Sequence, residues 1–501
     1  MAVKDRVFNV EATVTINGNK VAVSGFVVNY NINKVPTAQI QLALGEGYAT
    51  KKGVKSISPS DIDEGDEVLI EYNHQETNAA KIGGFIFLGI VSGITSSKAS
   101  SASGTSVSVV VNCVHRLALL GGLPTISRAY VLDSTNGPFI DMYRANSKIP
   151  KSPTDKSLSG LSDSHKLDIA SSPGQYLKDV LESLYKQEKS SARANNPDAL
   201  DVLDDIEVAE MHMGTERNKK ALNSRLRFII SQQLNNSWKT SNGITLLARM
   251  SVMLQGALLP NALSATIAPN FPLSKTAVQT VKATEIFGVN TRSVLSTIPI
   301  VGVRLLYGQD GNDAGKTGKD KQIFAQYPPA ADKIEGIYEY VRPPAWAILT
   351  KNINLGKPSN VKQLGRKDEP QHKKNIVTPD KKNGKLTQNE IQLWADKLAK
   401  TMYNTRVWAK NSFTMSVPLN FNVCPGMVIA IDVSSDNVAR KIFGGSVIYG
   451  QVQGVSIKSS VGRYSMNVSV AYVRNKKEND KCGFTEHPLY DKYKMEKIEL
   501  Y

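Results

Sequence analysis

Three glycines occur twice in this chain with the same spacing. Gly65, Gly89 and Gly93 are separated by 24 and 4 residues, and so are Gly426, Gly450 and Gly454, each standing 361 positions after its counterpart. Apolar positions keep that offset: Val68 and Ile70 fall on Ile429 and Ile431, Phe87 and Val91 on Ile448 and Val452, Ile94 on Val455, and Val107 and Val109 on Val468 and Val470. Glycines alone can coincide. Glycines with a shared strand phase on both sides mark one structural unit written twice.

The unit is β by pattern. Phe8, Val10, Ala12, Val14 and Ile16 alternate with polar residues, so the apolar set lies on one strand face. Asn17-Gly18 then supplies a hairpin turn, because both central residues of a type I′ turn need positive φ. Ile40, Leu42 and Leu44 continue the alternation, as do Val107, Val109, Val111 and Cys113. Near the other end Phe413, Met415, Val417, Leu419 and Phe421 repeat it, followed by Tyr464, Met466, Val468 and Val470. Short strands closed by Gly-rich turns predict a barrel or sandwich, with the six glycines at barrel turns.

Between these regions the pattern changes. Residues 144–166 are polar and rich in Ser and Pro, as suits an exposed loop. Pro173 then opens Tyr176, Leu177, Val180, Leu181 and Leu184 at helical spacing, and further helices are expected at 199–211, 219–235 and 243–255. A strand is expected over 298–307 and a helix over 386–403. Residues 351–385 carry ten Lys or Arg against three Asp or Glu, with few aromatics and several Pro and Gly, which predicts an exposed basic insertion. The expected fold is α+β, mainly β: two similar β-barrel domains flank a helix-rich middle domain, with an insertion in the second barrel. The expected boundaries are 1–125 for the first barrel, 126–290 for the middle domain, 291–350 with 386–475 for the split second barrel, 351–385 for the insertion and 476–501 for a C-terminal tail.

A net charge of +16 suits an acidic partner or nucleic acid, and equally a Lys-rich solvated surface. The N-terminus leads straight into a strand pattern without an apolar signal core, so folding in a cytoplasm is expected. No membrane-spanning segment is expected, since the most apolar stretch, 244–259, falls short of the roughly 20 apolar residues needed. Cys113, Cys424 and Cys482 are scattered singly and read as buried small apolar residues.

Chemistry is thinly signalled. Gly311 to Thr317 imitates a phosphate-binding loop, but Asp310 stands where that loop requires its first Gly, and no apolar helix follows. The six histidines form no metal-ligand pair. His115, just past a strand, reads as a packed or hydrogen-bonded residue. His212 near Glu207 and Glu210 has no accompanying nucleophile motif. Neither cofactor nor catalytic residue is assigned.

Several segments resemble the baseplate hub proteins of contractile-tailed phages and the hub part of VgrG spike proteins. The resemblance rests on Gly65-Asp66-Glu67-Val68-Leu69-Ile70-Glu71-Tyr72, on residues 85–94, on residues 109–117, and in the second region on residues 423–429 and 449–455. It covers about half the chain. It implies tube-type barrels, a homotrimer presenting six of them around one axis, a junction between a hexameric tail tube protein and a trimeric spike, contacts with other baseplate proteins, and transient passage of viral DNA. The implied location is the virion tail baseplate, assembled in the host cytoplasm. Nothing after Val473 looks like a β-helical spike, so the spike is expected to be a separate protein. Two other classes stay open. A tail-associated peptidoglycan hydrolase would need two convergent carboxylates, with Glu182, Glu207 and Glu210 as candidates. A basic nucleic-acid-binding protein would use Lys357, Lys362, Arg366, Lys367, Lys373 and Lys374 for phosphate contacts, and the same residues suit a docking segment for an acidic neighbour.

Overall fold

The computed structural model describes residues 10–43, 59–74, 82–101, 104–121, 131–132, 139–140, 202, 205–208, 256–269, 277, 279–293, 300–306, 323–328, 337–341, 388–419, 423–460 and 463–482. The chain opens with β1 (Val10–Ile16), β2 (Asn19–Val21), β3 (Val23–Asn31), β4 (Thr37–Leu42), β5 (Glu67–His74), β6 (Ile82–Ser101) and β7 (Gly104–His115). Short strands follow: β8 (Val131–Leu132), β9 (Phe139–Ile140), β10 (Glu207–Val208), β11 (Gly256–Pro260) and β12 (Ala265–Pro269). Then come β13 (Gln279–Val281), β14 (Gly288–Ser293), β15 (Ile300–Leu306), β16 (Ile323–Tyr327), β17 (Ile337–Val341) and the helix α1 (Gln388–Ala409). The described chain closes with β18 (Asn411–Val417), β19 (Val428–Asp432), α2 (Asn437–Phe443), β20 (Val447–Ser460), β21 (Arg463–Asn475) and α3 (Lys476–Cys482).

The fold is mainly β, and among the described residues its largest unit is a 13-stranded, mostly antiparallel sheet. Its path runs β14-β18-β21-β20-β3-β4-β7-β6-β5-β1-β2, with β19 on β20 and β13 on β19. Two sets of strands with one order are visible in it. In the first, β5, β6, β7, β4 and β3 are successive neighbours; in the second, β19, β20, β21, β18 and β14 are. The sets differ at their far ends, where β1 runs antiparallel to β5 but β13 runs parallel to β19.

Alternation explains which faces are buried. Val14, Ile16, Ile40, Val68, Ile70, Val109, Val111 and Cys113 point into one core with Phe413, Met415, Ile429, Ile431, Met466 and Val468. The turn at Asn17-Gly18 has positive φ at both residues and joins β1 to β2, as the sequence predicts. Arg474 is fully buried where α1 and α3 meet β21: its Nε donates to Asn479 Oδ1 at 2.9 Å and Nη1 to the Tyr472 carbonyl at 3.1 Å, with the guanidinium 5.0 Å from the Trp408 ring centroid. Burial lowers its pKa to about 10, and Glu478 opposes the shift.

Several expectations are corrected. The helix expected at 199–211 does not run through, because Glu207–Val208 pairs in parallel with Thr266–Ile267 of β12; pairing outweighs helical spacing there. The strand expected at 298–307 exists as β15, but it lies in a separate sheet, β16-β15-β17, against α1. Its expected place in the second strand set belongs to β14, which straddles the boundary drawn at residue 291, while β13 lies wholly before it. The helix expected at 386–403 is α1 and continues to Ala409. Cys113 is buried, whereas Cys424 is exposed. The helices expected at 173–184, 219–235 and 243–255, the loop at 311–317, Glu182, Glu210, His212 and the basic residues Lys357, Lys362, Arg366, Lys367, Lys373 and Lys374 lie outside the described residues.

Candidate functional site

The two strand sets share one local hydrogen-bond design. Gly65 N–H donates to the Val91 carbonyl at 2.9 Å and Val91 N–H to the Asp66 carbonyl at 2.9 Å. At the 361-residue offset, Gly426 N–H donates to Val452 O at 2.8 Å and Val452 N–H to Met427 O at 2.8 Å. Gly65 and Gly426 have φ of +94° and +92°, a region that L side chains rarely adopt and that favours glycine at both positions. Ladder registers agree as well: Val68 faces Gly89 and Ile70 faces Phe87, while Ile429 faces Gly450 and Ile431 faces Ile448.

Gly89, Gly93, Gly450 and Gly454 lie inside the long strands β6 and β20 and not at turns. Close backbone approach accounts for three of them. A Cβ on Gly89 would stand 2.3 Å from Val114 O, one on Gly450 2.9 Å from Ala471 O, and one on Gly454 2.9 Å from Tyr30 O. Beyond a bulge at Val91/Gly93 and Val452/Gly454, the partner strands follow a shorter offset: Ile94 pairs with Val111 and Val455 with Val468. Val111 and Cys113 are therefore the counterparts of Val468 and Val470. The sequence match of Val107 and Val109 to those positions slips by four residues because the β6–β7 hairpin is longer; Val107 lies on its far part and is half exposed.

The two sets meet where β20 pairs antiparallel with β3. Seven residue pairs run from Gly454↔Asn31 through Ile457↔Val28 to Ser460↔Gly25. Val455, Ile457, Phe26 and Val28 are buried at this joint, each side chain contributing roughly 1.5–3 kcal/mol when fully buried. The backbones come very close: a Cβ on Gly25 would lie 2.4 Å from Ser459 O. Tyr30, buried beside them, donates its hydroxyl to the Ile86 carbonyl, and burial pushes its pKa well above the ordinary range. Tyr464 Oη accepts from Ala12 N–H at 3.0 Å.

A hairpin from the middle of the chain braces both sets. Asn33 N–H donates to Leu258 O at 2.9 Å, and Leu258 N–H returns a bond to Asn33 Oδ1 at 2.7 Å. Ala262 O accepts from Leu88 N–H at 2.9 Å and lies 3.2 Å from His115 Nε2. Leu259 packs against Gly426 of the second set. This role of β11 and β12 has no sequence signal beyond an apolar run.

Among the described residues no cluster of His, Cys, Asp or Glu could hold a metal ion, and no helix is long and apolar enough to cross a membrane. Glu207 accepts a 3.5 Å contact from Thr266 Oγ1. The fold and this joint define a mainly β protein built on a duplicated strand set.

No protein-family model matches the chain, and no curated protein matches it. Solved structures similar to it include tail proteins. The 43 kDa tail protein of prophage MuSo2 from Shewanella oneidensis has a TM-score of 0.43 at 10% identity, over 92% of this chain and 96% of that one. A tail protein from Neisseria meningitidis has a TM-score of 0.43 at 7% identity, over 93% and 97%. A type VI secretion component of E. coli, described as similar to the T4 bacteriophage tail proteins gp27 and gp5, has a TM-score of 0.37 at 10% identity, over 95% of this chain and 80% of that one.

Proposed function

We propose that the chain is a structural baseplate hub of a contractile phage tail, with no enzymatic role. The single observation that carries this reading is one strand set occurring twice in one chain and joined into a common sheet by β20 and β3. Each set is one tube-type barrel domain, and the residues between them form a separate middle domain. Three such chains place six similar units around an axis that is three-fold by chain and nearly six-fold by unit. A closed ring of that kind meets a hexameric tail tube on one side and a trimeric spike, a separate protein, on the other. The ring encloses part of the channel through which viral DNA passes. The basic segment containing Lys357, Lys362, Arg366, Lys367, Lys373 and Lys374 docks an acidic neighbouring baseplate protein.

Light scattering across protein and salt concentration tests the reading. The expected mass is three times the 54.6 kDa of the chain. A persistent single-chain mass, with and without spike protein, would sink it and direct attention to peptidoglycan hydrolysis.

A further inference from the structure

The joint between the two strand sets is formed once within the chain, yet each half of it is present a second time. The counterpart of β3 is β14: Gly288 faces Ser416 and Val289 faces Met415 of β18, as Gly25 faces Gln41 and Phe26 faces Ile40 of β4. The counterpart of the part of β20 that receives β3 is the distal half of β6, from Gly93 to Ala99, by the 361-residue offset. Among the described residues, β14 ends the sheet and pairs only with β18. The distal half of β6 pairs only with β7.

Both unused halves carry marks of the joint. Gly25 and Gly454 are crowded by the opposing strand, while their counterparts Gly288 and Gly93 are also glycines but are not crowded. The nearest atoms to a Cβ there are Ser416 Oγ at 3.6 Å and Glu64 Oε1 at 3.8 Å. Side chains sealed in the formed joint have exposed counterparts in the unused halves. Val455 is 5% exposed and Ile94 37%; Phe26 is 3% exposed and Val289 39%. An open edge that keeps the glycines of a close approach matches a partner strand of the same kind.

We propose that β14 of one copy of this chain pairs antiparallel with the distal half of β6 of a second copy, in the register of the internal joint. That register sets Ile94 opposite Ser293, Ser97 opposite Asn290 and Ala99 opposite Gly288. Lys98 then faces Val289 and Arg292 faces Thr95, so neither charge meets the other. The contact is head-to-tail, and such contacts close into rings when the rotation permits. Closure at three chains rests on the hub reading; the strand joint rests on the sheet itself.

Two variants test it in the full chain. Ser97→Cys combined with Asn290→Cys, oxidised and run without reductant, is expected to give covalent dimers and trimers that neither single variant gives. Gly288→Val is expected to keep the far-UV circular dichroism of the parent, since nothing in the single chain crowds that Cβ, while its mass falls from three chains to one and its melting point drops only by the support that assembly lent. Interchain links with a mass other than three chains would uphold the joint and sink the three-fold hub. A trimer indifferent to Gly288→Val and unlinked in the double-cysteine variant would overturn the joint and leave the hub standing. A disulfide formed within one chain would also overturn it, by showing that the two edges meet in the same copy. A monomer with no interchain links would overturn both.

Discussion

Acidification should loosen the brace between β7 and the β11–β12 hairpin, and His115 sets the size of the effect. Its imidazole is fully buried, edge-on to Phe87 with ring centroids 5.8 Å apart. Nε2 donates to Ala262 O at 3.2 Å, and Nδ1 accepts from Leu117 N–H at 3.2 Å. Only the neutral ring with its proton on Nε2 makes both bonds, so a second proton on Nδ1 breaks one of them. Burial is the largest influence, with a smaller push from Arg116; bonds to the Ala262 and Asn261 backbone oppose it, and the pKa is lowered from 6.5 to about 4. Between those values the unfolded chain binds more protons than the folded one. The stabilisation is therefore complete above pH 6.5 and drains away as pH falls toward 4. At 1.36 kcal/mol per pKa unit, the full loss is about 3 kcal/mol. Urea unfolding followed by far-UV circular dichroism from pH 7.5 to 4 measures it, with His115→Gln as reference because carboxylates titrate in both proteins. The wild-type curve should fall more steeply than that of the variant by about that amount. Parallel curves would refute the argument.

The matched turn glycines should respond unequally. Gly65→Ala should cost about 1–2 kcal/mol from backbone strain alone, since no atom lies within 4 Å of its added Cβ. Gly426→Ala carries the same strain and also meets a Leu259 methyl at 2.7 Å, so it should cost about 1 kcal/mol more as Leu259 leaves its rotamer. Equal urea midpoints for the two would show that the hairpin does not press on the second set. Removing residues 355–382 should leave the mass in solution unchanged and block incorporation into particles; normal incorporation would count against a docking role for the basic segment.

The repeat was legible because its constraints are local. Positive φ at Gly65 and Gly426, and apolar alternation at Val68/Ile70 and Ile429/Ile431, leave direct traces in residue type. The four-residue slip at Val107 and Val109 was hidden because a longer hairpin keeps the alternation and changes only the partner. β14 was missed for a different reason: Gly288–Ser293 has a single large apolar residue, Val289, on an open edge, so it lacks the pattern of a half-buried strand. The brace at Ala262 was invisible because it uses backbone carbonyls, which every residue has. His115, read only as packed or hydrogen-bonded, turned out to be both.

Duplication within one chain lets two copies of a joint acquire different strengths. The internal joint forms at the high effective concentration that covalent linkage provides, so it can be apolar without risk of capturing a wrong partner. Its counterparts are more polar at three of the positions named: Ser96 stands for Ile457, Thr291 for Val28 and Ser293 for Tyr30, while Lys98 and Arg292 place charge on the two edges. An edge that must stay soluble before assembly needs such residues, because a bare apolar edge pairs with any strand it meets. On the proposed reading, the difference orders assembly. The chain first completes its own joint, and the weaker edges then meet only in a ring, where each contact is supported by the others.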